Sequence, residues 1–407
     1  MMFIVKTPAE ALELIKSEFK ANLISESAGL DECCGRTLAE DITACEYVPG
    51  FDRSTVDGYA VHAADTFGCS DSIPAILEVA GEILMGEAAE VRPESGQCAA
   101  IPTGGAVPEG CDAVVMIEYT EDYGDGTIGV LKPVSPGANM IYRGDDVFPG
   151  KAVLSAGRII SPSDVGALAA MGITEVPVVR RPVAGIISTG DELAEPGEKL
   201  EKGRIRDSNG PMLAALMREQ GADIINYGIV KDDMKAMDEV VSRAVSECDI
   251  LLISGGTSVG IKDQTARIIE AKGTLLFHGI AMKPGKPTIL GRIGEVPVFG
   301  LPGHPLGAFF AARIYVRYLL SVMMGRPFSS GRTDAILSEG IGANHGREEY
   351  VSVRLEEKDG VVFAEPVHTK SGLITSMAET DGYLTVPRDC EGYQQGEKVS
   401  ITYYSSK

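Results

Sequence analysis

The chain contains no tryptophan and only five histidines, and aromatic side chains make up 6% of its 407 residues. Positive charge is scarce as well: 37 Lys and Arg stand against 58 Asp and Glu, a formal charge of −21. Nucleic acid and anionic membrane surfaces are held by clustered Lys and Arg, so this balance argues against both as partners. A small anionic ligand stays open, provided the positive groups that meet it are local. No apolar run approaches 18 residues, so no segment is expected to span a membrane. The opening MMFIVKTPAEALELIK lacks the basic start, long apolar run and small-residue cleavage site of a secretory leader. None of the eight cysteines forms C-x-x-C. That usage predicts free, buried thiols in a reducing cytoplasm, and with so few histidines no zinc site. What is present is ordinary for a globular chain: 44% hydrophobic and 23% charged residues, with a length that suggests two to four domains.

The segment Asp249–Lys272 organises the rest. Ile250, Leu251, Leu252 and Ile253 form an unbroken apolar run, as in a strand buried on both faces. Gly255, Gly256 and Gly260 follow, and then an amphipathic helical pattern over 262–272. Strand, glycine turn and helix can cradle a phosphate on free N–H groups. A plain tight turn would read the same way, and the spacing matches neither common phosphate loop. From Pro182 onward such units repeat. Strands are expected at 183–188, 223–229, 249–254, 274–278, 288–291 and 296–300, and helices at 209–220, 234–245, 262–272 and 305–324. This alternation predicts a doubly wound, mostly parallel sheet that binds ligand beyond the carboxyl ends of its strands. The unusual loops fall on that edge: STGDEL (188–193), KDD (231–233), SGGTSVG (254–260), MKPGKP (282–287) and LPGHP (301–305).

Before this block, Thr7, Pro8 and Glu10 read as a capping box opening a helix, and 41–47 as an exit strand. Residues 73–134 carry short apolar runs between Gly, Pro and Asp clusters, a β-rich insertion. Ser161 to Asp164 caps a second helix. After Gly325-Arg326-Pro327 the pattern returns to strands, at 350–355, 361–365, 382–386 and 398–403. The expected division is therefore a linking domain from 1–47 and 143–180, an inserted β-rich domain at 48–142, an α/β domain at 181–325, and a small C-terminal β domain, barrel-like, at 326–407.

Two kinds of residue meet at the sheet edge. Asp191, Glu192, Asp207, Asp232, Asp233 and Asp263 are carboxylates on or just after turns, while Lys283 and Lys286 flank Pro284-Gly285. Carboxylates beside anion-binding loops imply a divalent cation between them and a phosphorylated ligand, and oxygen-only donors suit Mg²⁺. Each acid can equally be a helix N-cap. No Ser–His or Cys–His combination stands out, which leaves metal-assisted transfer or hydrolysis at a phosphate ahead of acyl transfer.

The loops VPGFDRSTVDGYAV, IPTGGAVPEGCDAVVMIE, YRGDD, ISTGDEL, RDSNGPML, GIVKDD, SGGTSVGIKDQT, AMKPGKPTILG, LPGHPLGA and REEYVSVRL, in this order, resemble the molybdopterin molybdenumtransferase family (MoeA and the E domain of gephyrin). The likeness runs almost end to end. It implies a central sheet of the molybdopterin-binding type and transfer of molybdenum from molybdate to adenylylated molybdopterin, with AMP released and Mg²⁺ required. By resemblance, Glu192, Asp232 and Asp263 surround the cation and the pyrophosphate. Asp57 and Thr103 bring the inserted domain to the site. Thr189, Gly190, Asp191, Ser254, Gly255, Gly256 and Ser258 contact the pterin ligand, and Pro302, Gly303 and Pro305 complete its surroundings. Lys283, Lys286, Arg347 and Ser371 form the molybdate pocket, a donor set that suits an oxyanion. The resemblance further implies a cytoplasmic homodimer in which Arg347 and Ser371 come from the partner, with a molybdopterin adenylyltransferase upstream.

Two positions depart from the family pattern: His304 replaces the Asn of LPGNP, and Gly307 stands where a Ser is frequent. Both leave tungstate open in place of molybdate. Two further alternatives are the preceding adenylylation step and a non-catalytic dimeric scaffold. The blocks on either side of the α/β domain count against the first, and retention of Glu192, Asp232, Asp263, Lys283 and Lys286 against the second.

Overall fold

The computed structural model describes residues 5–255, 262–343, 346–368 and 372–404. Its centre is a six-stranded sheet in the order Asp223–Val230, Val183–Thr189, Ile250–Gly255, Val296–Leu301, Ile289–Ile293, Thr274–His278. The first four strands are parallel, and Ile289–Ile293 runs against its neighbours. Alternate side chains of these strands feed two separate cores. Ile186, Leu252 and Phe299 pack under the helices Asn209–Glu219 and Pro305–Met323, while Ile187, Leu251, Ile253 and Val298 pack under Met234–Glu247 and Lys262–Lys272. Burial on both sides is why the strands read as unbroken apolar runs. The sheet is thus doubly wound, as expected.

From Val183–Thr189 the chain builds Asp223–Val230 on one side and then Ile250–Gly255 on the other. The strand order reverses at that point, which opens a crevice beyond Thr189 and Gly255. The two ends are in register and nearly touching: a Cβ on Gly255, whose φ is +139°, would lie 1.9 Å from the Thr189 carbonyl oxygen. Only glycine fits there.

The C-terminal part is a closed five-stranded barrel, Glu348–Lys358, Val361–Pro366, Arg332–Leu337, Lys398–Tyr403 and Gly382–Val386, the last pairing back to the first. Arg332–Leu337 was not expected, because Arg332, Thr333 and Asp334 mask its apolar face. The segment between the later central strands holds a second surprise. Met282–Lys283 leaves the central sheet and pairs in parallel with Glu348–Glu349 of the barrel.

The inserted region forms a six-stranded sheet of its own, from Ala113–Met116 through Gly58–Val61 and Gln97–Ile101 to Ala75–Glu82, Thr127–Val130 and Thr120–Asp122. Capping boxes open the helices Pro8–Glu18 and Pro162–Ala170 as read. The exit strand expected at 41–47 shrinks to Ile42–Thr43. All eight cysteines are free, but Cys34 and Cys45 are exposed, which corrects the expectation of uniformly buried thiols. Pro305–Met323 has the length and apolarity of a membrane span, yet its apolar window is 67% buried inside the protein. It carries Arg313, which donates to the Tyr403 carbonyl, and Arg317, which donates to Gln220 and Ser330. It is a core helix.

Candidate active site

Two cavities adjoin at the carboxyl edge of the central sheet. The first, about 600 Å³, lies in the crevice beyond Thr189 and Gly255 and is lined by Glu192, Asp207, Asn209, Asp232 and Ser254. The second, about 670 Å³, lies between the central domain and the barrel and is lined by Lys283, Lys286, Arg347 and Glu349. His304 lines both.

The first cavity is ordered by short turns. Thr189 ends its strand and donates its Oγ1 hydrogen to Asp232 Oδ1 at 2.6 Å, which locks the KDD loop to the GDE loop. Asp191 accepts more weakly from the Asp232 N–H, at 3.4 Å. The Glu192 carboxylate folds over Gly190: a Cβ there would sit 2.8 Å from Glu192 Oε2, and φ is +152°. Buried Asp207 accepts from the Gly210 N–H at 3.0 Å. Asn209 Nδ2 donates to Ser254 Oγ (2.8 Å) and to the Gly303 carbonyl (2.9 Å), so one side chain ties together three loops. Its Oδ1 is buried without a hydrogen-bond partner among the described residues, an acceptor poised for a donor from a ligand. Gly303 and Pro305 also line this cavity, and Pro302 lines its neighbour.

In the second cavity Lys283 Nζ donates to both oxygens of Glu349, at 3.2 and 3.1 Å. Gly285 reaches it with φ +110°, and the loop packs against the start of Pro305–Met323: a Cβ on Gly307 would lie 3.4 Å from Gly285 Cα. Arg347 lines this cavity together with Lys283 and Lys286 of the same chain. That corrects the expectation that a partner must supply it. Pairing of Met282–Lys283 with Glu348–Glu349 brings the two segments together within one chain.

Other expected residues lie elsewhere. Asp57 Oδ1 accepts from the Thr103 N–H (2.7 Å) and Oγ1 (3.0 Å), and these bonds hold its carboxyl below the usual range. Both residues are exposed on the inserted sheet and line neither cavity, so within one chain that sheet does not reach the site. Asp233 caps Met234–Glu247 by accepting from the Ala236 N–H at 2.8 Å, a structural role. Gly256, Ser258 and Ser371, and the side chain of Asp263, fall outside the described residues. Among the described residues no group of three or more His, Cys, Asp or Glu could hold a metal ion. Glu192, Asp207 and Asp232 all line the first cavity, and carboxylate oxygens are the donor type that suits a hard cation, but the three are not gathered into one ligand group.

Asn209 and Glu349 were not anticipated. Asn209 reads as the first residue of a helix, where Asn is unremarkable. Glu349 offered a signal: period two puts it on the same face as Val351 and Val353, a carboxylate on an apolar face.

Comparison with known proteins covers nearly the whole chain. Residues 6–172 match the MoeA N-terminal region (domain I and II), 185–321 a probable molybdopterin binding domain, and 334–404 the MoeA C-terminal region (domain IV). The chain is 33% identical over 404 residues to a molybdopterin molybdenumtransferase of Bacillus subtilis, spanning 97% of this chain and 94% of that protein. It is 35% identical to a putative molybdopterin biosynthesis protein of Methanocaldococcus jannaschii, over 91% and 90% of the two chains. The crystal structure of a molybdopterin biosynthesis MoeA protein from Pyrococcus horikoshii superposes with a TM-score of 0.86 at 36% identity, covering 98% of this chain and 100% of that one.

Proposed function

Because the chain belongs to the molybdopterin molybdenumtransferase family, which inserts molybdenum during cofactor biosynthesis, we propose that its two adjoining cavities divide that reaction between them. Adenylylated molybdopterin occupies the acidic cavity and molybdate the basic one, and AMP leaves once the metal is transferred. The observation that carries this reading is the meeting of oppositely charged cavities at His304.

Asn209 and Ser254 present hydrogen-bonding groups to the pterin ligand, and Gly255 lets its backbone approach the strand ends. Glu192 and Asp232, joined by Asp263, would hold Mg²⁺, which when bound neutralises pyrophosphate charge. Thr189 keeps the Asp232 carboxylate turned toward its loop. Lys283, Lys286 and Arg347 supply N–H donors to the oxyanion.

The working unit in this reading is a cytoplasmic homodimer, fed by an adenylyltransferase. Asp57 and Thr103 line neither cavity of their own chain, so the partner's Asp57 completes each site across a two-fold axis. The deciding assay gives purified protein molybdopterin plus ATP, and separately adenylylated molybdopterin plus molybdate or tungstate. AMP release and active cofactor only in the second reaction are expected. Adenylylation in the first would replace insertion with the preceding step.

A further inference from the structure

The basic cavity contains a carboxylate, which an oxyanion should find repellent. Glu349 is 5% exposed, and both its oxygens accept from Lys283 Nζ. The Lys283 side chain is 49% exposed, so the lysine can swing while the carboxylate stays fixed in its strand. Lys286 and Arg347 line the same cavity. Among the described lining residues three cations face one carboxylate, a surplus of positive charge that suits a tetrahedral dianion.

We propose that Glu349 is a built-in counter-ion for Lys283, displaced from the lysine by the incoming oxyanion, and that it keeps molybdate binding loose enough for transfer. This rests on the oxyanion reading of the basic cavity. In the empty cavity the carboxylate offsets repulsion among three cations. When the dianion arrives, Lys283 turns to it, and Glu349 remains buried nearby as a repelling charge. Binding the metal more tightly before transfer lowers the concentration needed but does not speed the step, and a trapped oxyanion is passed on more slowly.

Glu349→Gln keeps the shape and removes the charge. The molybdate concentration for half-maximal turnover should fall at least about tenfold, the repulsion of a carboxylate and a dianion roughly 6 Å apart even under water-like screening, while turnover at saturation falls severalfold. Calorimetric titration with molybdate should show the same tightening, and with perrhenate, a tetrahedral monoanion, a smaller one. Lys283→Gln should weaken molybdate binding, and the uncharged pair Lys283→Gln/Glu349→Gln should recover most of that loss. The double variant also serves as the test should Glu349→Gln fail to fold. If Glu349→Gln weakens binding, or the double variant binds no better than Lys283→Gln, Glu349 only positions the lysine and the counter-ion role is overturned. If wild-type protein binds no molybdate calorimetrically, the oxyanion reading of the cavity fails, and this inference with it.

Discussion

Glu192, Asp207 and Asp232 line one cavity and Lys283, Lys286 and Arg347 its neighbour, with His304 lining both. The acidic cavity is built almost wholly from loops of the central sheet, whereas the basic one needs the barrel as its second wall. Three carboxylates against the single Arg206 make the acidic cavity repel a pyrophosphate unless a cation screens them, while the surplus of Lys and Arg in the basic cavity attracts an anion directly. Damage should therefore read out differently: as lost turnover on the acidic side, as a shifted concentration dependence on the basic side.

The largest effect is expected on the acidic side. Asp232→Asn should reduce AMP release by about a hundredfold or more, as for loss of a group acting on transition-state charge. Asp57→Asn should do the same from the inserted sheet. Co-expressed, the two inactive chains should regain about a quarter of wild-type activity, since half the randomly paired dimers contain one intact site. No recovery, with mixed dimers verified by two affinity tags, would place Asp57 and Asp232 of one chain in the same site.

On the basic side, Lys286→Gln should raise the half-saturating molybdate concentration about tenfold, the loss of one charge-assisted bond, with pterin affinity unchanged. A fall in pterin affinity with an unaltered molybdate response would exchange the roles of the two cavities. The smallest effect is expected at the boundary. A Cβ on Gly307 would lie 3.1 Å from Pro302 Cβ, so Gly307→Ser must push Pro302 aside. It should cost about 1 kcal/mol in urea unfolding, a typical overpacking penalty, and alter the molybdate response less than threefold. A larger shift would show that a hydroxyl at 307 joins the oxyanion's donors.

Much of this arrangement was legible in the residues. The apolar runs at 183–188 and 250–253 announced buried strands, and glycine- and proline-rich loops marked the edge where the cavities open. Capping pairs such as Thr7 with Glu10 and Ser161 with Asp164 announced helix starts. The features that escaped are those with no local imprint. Met282–Lys283 joins the barrel through a two-residue ladder, too short to carry a periodic pattern. That pairing also brings Arg347 to line the same cavity as the lysines of its own chain. The Asn209 bridge depends on Ser254 and Gly303, distant in sequence, so a helix-start asparagine looked ordinary.

The Met282–Lys283 ladder bears on how such a protein can change over generations. Because Lys283 faces Glu349 through the backbone, the barrel is not a cassette to be exchanged between relatives at a linker. A graft that slips by one residue puts Glu348 or Tyr350 opposite the lysine and turns the displaced side chain to the other face. Substitutions around the rim are free to accumulate, but an insertion or deletion between Gly346 and Glu349 rewrites the pocket in a single event. Length variation in this lineage is therefore expected in the barrel's far turns, such as Asp359-Gly360, and not at the strand's entry.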